Sequence, residues 1–311
     1  MPLHPTLVNM IEAIRQSGRP QLSDGSPEDA RALVAATREA LGRGPEVGST
    51  STLRIATRKG SIPGRLYQPV KAAQGLVVYF HGGGWVAGAL DDFDALARTL
   101  ASRSNCAVLL ADYRLAPEHP FPAGLHDAED TLLWASSQCA ALLGKDLPLM
   151  VAGDSAGANL AIVATLSLKA DVKPGLQVLF YPVTDDDTDT PSYLAYGTDY
   201  PLTKNDMKWF FRHYAGGHAT DDPRISPLRS SNLSCAPDTW IATAEYDVLR
   251  DQGEAFAESL IAAGVTVQMQ RYAGMTHGFA RMMNLVDTAD QAISDAAAAM
   301  SRHCAAQPLQ H

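Results

Sequence analysis

Between Gly75 and the C-terminus, short apolar runs alternate with stretches whose apolar residues recur at helical spacing. The runs fall at 76–80, 106–111, 147–152, 176–181, 239–244 and 265–271; the amphipathic stretches lie near 91–103, 124–142, 156–169, 251–263 and 288–302. Uninterrupted apolar runs suit strands covered on both faces, whereas strands with one wet face would alternate. Strand and helix taking turns at this spacing predict βαβ units. The expected fold is therefore α/β, with a mostly parallel central sheet and helices on both faces.

Elsewhere the pattern changes. Residues 1–45 read as a pair of helices. Pro5 to Gln16 places Leu7, Met10, Ile11 and Ile14 at helical spacing, and Ser26-Pro27-Glu28-Asp29 offers an N-cap with Pro at the first position of a helix reaching about Leu41. Thr52 to Pro69 alternates like two antiparallel strands around a Lys59-Gly60 turn. Residues 183–236, rich in Asp, Thr, Pro and aromatics, interrupt the rhythm between two strands. An insertion at the C-terminal edge of an open α/β sheet is well placed to cover a ligand crevice. The expected organisation is thus a helix pair at 1–45 and a covering insertion at about 183–236 on a main domain spanning 46–311.

Composition narrows the classes. Hydrophobic residues are 46% and charged residues 19% of the 311, enough for a large core and against intrinsic disorder. A formal charge of −9 without a Lys/Arg cluster leaves no electrostatic footprint for nucleic acid or an anionic membrane. No apolar run is long enough to span a bilayer, and the N-terminal segment lacks the apolar core of a secretory signal. A cytoplasmic location is the simplest expectation. Cys106, Cys139, Cys235 and Cys304 are widely spaced, with no C-x-x-C pair and no nearby His, so reduced thiols are expected. Without an H-E-x-x-H, a metal site has no support.

Gly153-Asp154-Ser155-Ala156-Gly157 sits where the run 147–152 passes into a helix. G-x-S-x-G at a strand-to-helix turn is a nucleophile elbow, and about 0.1 chance matches are expected in a chain of this size. His81-Gly82-Gly83-Gly84-Trp85 follows the run 76–80. Its glycines let backbone N–H groups approach a substrate oxygen, as an oxyanion hole requires. A second reading competes: Gly82-x-Gly84-x-x-Ala87 fits the loose dinucleotide fingerprint, with Asp112 as the ribose-binding acid. Bulky Trp85 and Val86 speak against it. A nucleophilic serine needs a base and an acid to orient that base. His277 lies just past the run 265–271 and Asp247 just past 239–244, both at the sheet edge expected to carry Ser155. Asp251 competes with Asp247 but fits an N-cap for the helix 251–263.

These motifs, together with Asp247-Val-Leu-Arg-Asp251, His277-Gly-Phe279 and the long run Tyr113-Arg-Leu-Ala-Pro-Glu-His-Pro-Phe-Pro-Ala123, resemble in order and spacing the hormone-sensitive-lipase-like esterases, family IV of the bacterial α/β-hydrolases. The resemblance covers roughly residues 45–305, and the leading helix pair resembles the family's N-terminal cap segment. It implies an α/β-hydrolase fold and a serine carboxylesterase acting on short- to medium-chain esters through an acyl-serine intermediate, without a cofactor. Ser155 would be the nucleophile, His277 the base and Asp247 the acid. The N–H groups of Gly83, Gly84 and Ala156 would hold the oxyanion, and Gly82 could share that role because three glycines leave the register open. Trp85 and, from the cap, Leu202, Met207, Phe211 and Met10 are candidate substrate contacts, with core packing the alternative for each. His81 would shape the oxyanion loop, and Glu118, Asp112 and Arg114 would brace it. Asp222-Pro-Arg224-Ile-Ser-Pro227 resembles a family segment that is architectural.

The chain departs from the family in two places. Ala158 replaces a second glycine after the elbow, with little expected effect. Val248 replaces a proline and is expected to loosen the loop holding Asp247. Fold and triad do not set the substrate, so a lipase, an amidase and a thioesterase remain alternatives. A non-catalytic ligand-binding receptor is another, opposed by the retained His277. Family members often dimerise through the last strand, here near Val265–Arg271.

Overall fold

The computed structural model of the chain describes residues 1–18, 20–168 and 171–307. Eight strands, β1 (Ser49–Thr57), β2 (Gly60–Gln68), β3 (Leu76–Phe80), β4 (Ala107–Ala111), β5 (Leu149–Asp154), β6 (Leu176–Phe180), β7 (Asp238–Tyr246) and β8 (Val267–Thr276), form one sheet in the order β1-β2-β4-β3-β5-β6-β7-β8. The first two pair antiparallel, β2 pairs antiparallel with β4, and every pairing from β4 to β8 is parallel. The helices are α1 (Pro5–Gln16), α2 (Pro27–Ala36), α3 (Arg38–Leu41), α4 (Asp94–Ser104), α5 (Ala123–Leu143), α6 (Ala156–Ser167), α7 (Pro191–Tyr196), α8 (Lys204–Ala215), α9 (Arg250–Ala262) and α10 (Asp287–Ala306). The end of the helix expected at 156–169 and the tail at His311 lie outside the described residues.

Two apolar layers explain the uninterrupted runs. Leu76, Val78 and Phe80 of β3 join a cluster with Leu125 and Leu132 of α5, Leu160 and Ile162 of α6 and Phe256 of α9. Val77 and Tyr79, the alternate residues, join Leu96 and Leu100 of α4 and Ile293 and Met300 of α10. A strand with helices on both sides has no wet face, so its side chains are apolar at every position. Strand β8 runs beyond its apolar stretch to Thr276, with a register shift opposite Ala244 and Tyr246. That extension delivers His277 to the C-terminal edge.

Ser26 is the expected N-cap of α2, and Asp29 completes a capping box with it. The helix read to Leu41 breaks at Thr37, whose hydroxyl donates to the Val34 carbonyl at 2.7 Å and competes with continued helical bonding. The segment 183–236 contains α7 and α8 and has no separate core: Trp209, Phe210, Phe211 and Tyr214 share a cluster with Trp85 and Val86. Both helical segments gather beyond the C-terminal strand ends. His4 N–H donates to Gly274 O at the end of β8, and Phe121 N–H, in the loop after β4, donates to Tyr214 O on α8.

The loop after β4 is anchored from below by a buried carboxylate. Asp127 accepts from the Arg114 N–H at 2.9 Å and from its guanidinium at 2.8 Å twice, and its own side chain is fully buried. Removing Asp127 leaves the partly exposed Arg114 guanidinium to water but strands the Arg114 N–H, and an unsatisfied donor of that kind costs about 1–3 kcal/mol. Asp127→Ala is therefore expected to destabilise the fold by about 1–3 kcal/mol in urea unfolding, and no measurable loss would contradict that anchoring.

Candidate active site

Ser155 follows β5 and caps α6 with φ 53° and ψ −120°, a conformation that a residue with a side chain rarely adopts. Its neighbours hold it there. The Ser155 N–H donates to Phe180 O at 2.9 Å, and its carbonyl accepts from the Asn159 and Val183 N–H groups. The flanking glycines answer a contact requirement: a Cβ on Gly157 would lie 2.0 Å from Phe80 O, and one on Gly153 would lie 2.5 Å from the Gly157 carbonyl carbon. Helix α6 can thus begin against the backbone of β3, presenting the hydroxyl at the sheet edge.

His277 Nε2 lies 3.0 Å from Ser155 Oγ, and its Nδ1 lies 2.8 Å from Asp247 Oδ2. Asp247 is buried, and its other oxygen accepts from Leu249 N–H at 3.0 Å. With the Nδ1 proton donated to this carboxylate, Nε2 is left as the acceptor for the serine proton. Tyr181, at φ 35°, packs its ring 4.7 Å from the imidazole. The arrangement can take a proton from Ser155 and stabilise the imidazolium that results.

Two expectations about the acid loop need correction. Val248 does not loosen it: Val248 is fully buried and its carbonyl accepts from Ser192 Oγ on α7 at 2.7 Å. Asp251 is not an N-cap either. Leu249 holds that position without a side-chain bond, while Asp251 accepts from Ser192 N–H at 2.7 Å and pairs with Arg250.

In the glycine run, Gly82 N–H already donates to Asp154 Oδ1 at 2.9 Å, which takes it away from any substrate. Among the described residues, the N–H groups of Gly83, Gly84 and Ala156 have no acceptor. His81 is buried, stacked between Phe93 and Tyr113, with Nδ1 2.8 Å from Gly82 O. Burial pushes its pKa down to about 4, so it is neutral and shapes the loop. The dinucleotide reading fails on geometry, because the next helix in the chain, α4, begins only at Asp94, so the glycine run does not open the helix that the fingerprint requires.

Trp85 stacks on Tyr214 at 4.2 Å and leans on Phe211 at 5.5 Å. Leu202, Met207 and Phe211 are buried in the same cluster, whereas Met10 packs on the cluster of the other sheet face. Sequence reasoning missed Phe210. A Cβ on Gly84 would lie 2.1 Å from the Phe210 ring, so that ring lies directly against the loop. Helical spacing could not select it, since Trp209, Phe210 and Phe211 are all buried. Glu118 pairs with Arg31 and Arg114 with Asp127, while Asp112 is held through its N–H by Pro63 O. In the 222–227 segment, Asp222 turns the chain by accepting from the Arg224 N–H.

Comparison with known proteins decides the family. The α/β-hydrolase fold profile matches residues 77–281. Carboxylic ester hydrolase LipN of Mycobacterium tuberculosis is 40% identical over 298 residues, covering 91% of this chain and 78% of that protein. The chain belongs to the hormone-sensitive-lipase-like carboxylesterases of the α/β-hydrolase fold. Ethyl acetate hydrolase of Pseudomonas putida is similar to this esterase at 36% identity, covering 97% of the esterase and all of the relative. The hyperthermophilic esterase of Pyrobaculum calidifontis superposes on it with a TM-score of 0.91 at 34% identity, covering 98% of this chain and 100% of that one. Among the described residues of the esterase, no three His, Cys, Asp or Glu side chains are grouped to hold a metal ion, and no helix is long and apolar enough to cross a membrane.

Asp154 makes a pH prediction. Burial pushes its pKa up from the ordinary 3.8 to about 6, against the opposing bonds from Tyr79 and Gly82. A carboxyl raised in the fold stabilises it while protonated; that contribution is complete below pH 3.8 and is lost as pH rises through about 6. Asp154→Asn should therefore gain melting temperature relative to the unmodified esterase as pH rises from about 4 to about 7. A gap that narrows over that range would contradict the buried-acid assignment.

Proposed function

We propose that this carboxylesterase cleaves short- to medium-chain esters through Ser155, His277 and Asp247, the observation that carries the reading being the 3.0 and 2.8 Å relay of these side chains. Ser155 Oγ attacks the ester carbonyl as His277 Nε2 accepts its proton, and Asp247 holds the imidazole and stabilises its charged form. The oxyanion is received by the N–H groups of Gly83, Gly84 and Ala156. Each such donor is worth about 10²–10³ in turnover. His277 protonates the departing alcohol, leaving acyl-Ser155; a water that His277 deprotonates then releases the acid and restores the serine.

The cap segments 1–45 and 183–236 form the substrate cover in this reading, with Phe210, Trp85, Leu202, Met207 and Phe211 as its apolar lining. The aromatic crowding around Trp85 favours small acyl groups over long lipid chains, and the name of the ethyl acetate hydrolase relative points the same way. Gln268, Met269 and Gln270 are exposed on the edge strand β8, which suits a homodimer through that edge. A cytoplasmic location completes the proposal.

Hydrolysis of p-nitrophenyl esters from acetate to palmitate tests the reading beside Ser155→Ala. Rates peaking at short chains, and a loss of about 10⁵–10⁶ in kcat in the variant, are expected. A palmitate peak would instead assign a lipase, and activity retained in the variant would overturn the nucleophile. Phe210→Ala should move the optimum toward longer acyl or alcohol groups, and an unchanged chain-length profile would remove Phe210 from the pocket wall.

A further inference from the structure

One cap side chain reaches the turn that carries the proposed oxyanion donors. Arg31 on α2 donates from Nε to the Val86 carbonyl at 2.9 Å and from Nη2 to the Ala116 carbonyl at 3.0 Å. It also forks onto the Glu118 carboxylate at 2.8 and 2.6 Å. Val86 is part of the turn itself: its N–H and that of Ala87 close back onto the Gly83 carbonyl at 3.1 and 2.9 Å. The peptides on both sides of Val86 are therefore held from outside, because Ala116 N–H donates to Trp85 O at 2.9 Å and Arg31 takes the next carbonyl.

Such tethers matter because the turn has little stiffness of its own. Gly82, Gly83 and Gly84 follow one another, and Gly83 and Gly84 sit at φ 116° and 61° with Trp85 at φ 59°. Consecutive glycines have the largest conformational freedom to lose. Fixing their N–H groups within tenths of an ångström needs partners elsewhere. Tyr113 holds His81 O at 2.7 Å and Asp154 holds Gly82 N–H at 2.9 Å. Those holds, like that of Ala116, come from the main domain. The Arg31 hold comes from the N-terminal cap.

We infer that Arg31 is a positioning residue, through which the docked α2 helix sets the backbone turn that presents the Gly83 and Gly84 N–H groups to the oxyanion. This rests on the catalytic reading above. The Arg31–Glu118 pair leaves 30% and 48% of its side chains exposed, and ion pairs that open to water add little to stability. What Arg31 supplies is geometry: one planar guanidinium satisfies three separate acceptors, which a lysine ammonium on a flexible stem cannot reproduce. Donors that act on the oxyanion act in the transition state, so their misplacement lowers kcat and leaves KM nearly unchanged.

The test compares the unmodified esterase, Arg31→Ala, Arg31→Lys and Ser155→Ala on p-nitrophenyl butyrate. Each is also assayed with a trifluoromethyl ketone of matching chain as a mimic of the tetrahedral intermediate, and each melting temperature is recorded. Arg31→Ala should lose about 10- to 100-fold in kcat with KM within about twofold. Its affinity for the ketone should fall in parallel. Arg31→Lys should remain impaired, and guanidinium ion at about 10 mM should restore part of the Arg31→Ala rate by refilling the vacated space. An unchanged kcat, a raised KM alone, or a kcat loss that only tracks unfolding and ignores guanidinium would each overturn the positioning role. If Ser155→Ala retains activity, the catalytic reading and this role fall together. If Ser155→Ala is dead and Arg31→Ala is unimpaired, only the role of Arg31 falls.

Discussion

Everything at the site depends on how closely α6 can begin against β3. Gly157 rests on the Phe80 and His81 carbonyls, and Gly153 on the Gly157 backbone. Ser155 is bent into its unusual φ between them. Any side chain at either glycine would push the helix away from the sheet and take the serine hydroxyl with it. Strain at one residue survives because its surroundings over-determine it. Here the surroundings are an eight-stranded sheet with apolar layers on both sides, which cannot yield locally without opening a cavity.

From that point the contacts spread outward in two directions. Along the sheet edge, β6, β7 and β8 bring Tyr181, Asp247 and His277 into line, and Ser192 of α7 ties the acid loop down through the Val248 carbonyl. Across β3, the turn Gly82–Gly84 runs between His81, stacked on Phe93 and Tyr113, and the aromatic stack of Trp85 on Tyr214. Arg281, four residues past His277, lies over the Phe93 ring at 4.8 Å and donates to Thr37, between α2 and α3. The helix pair at the N-terminus therefore touches the surroundings of both His277 and the glycine turn.

The sequence is most legible where one physical cause acts alone. The apolar runs of β3 to β7 read correctly because burial on both faces leaves no other composition open to them. The strand-to-helix turn at Ser155 and the close backbone approach at the glycine run are legible because their geometry demands small residues at fixed spacing. Less legible is whatever depends on partners far along the chain. Val248 looks like a loosened position until Ser192, 56 residues away, takes its carbonyl. Asp251 looks like a helix cap until the same serine claims it. Arg31 lies 55 residues from Val86, and nothing local to either residue announces the other. Phe210 and Phe211 are indistinguishable in a helix buried on most sides, and only the position of Gly84 separates them.

Asn159 gives the 183–236 segment a modular character. From one turn beyond Ser155, its amide donates to the Val183 carbonyl at 2.9 Å and the Ile225 carbonyl at 2.8 Å. One buried side chain thus staples both feet of the intervening segment to the same helical turn. The chain between those feet can lengthen, shorten or be exchanged while its points of departure stay fixed relative to the serine. On this scaffold, the intervening segment and the geometry at Ser155 can diverge independently, and a graft made between Val183 and Ile225 is the natural unit for exchange.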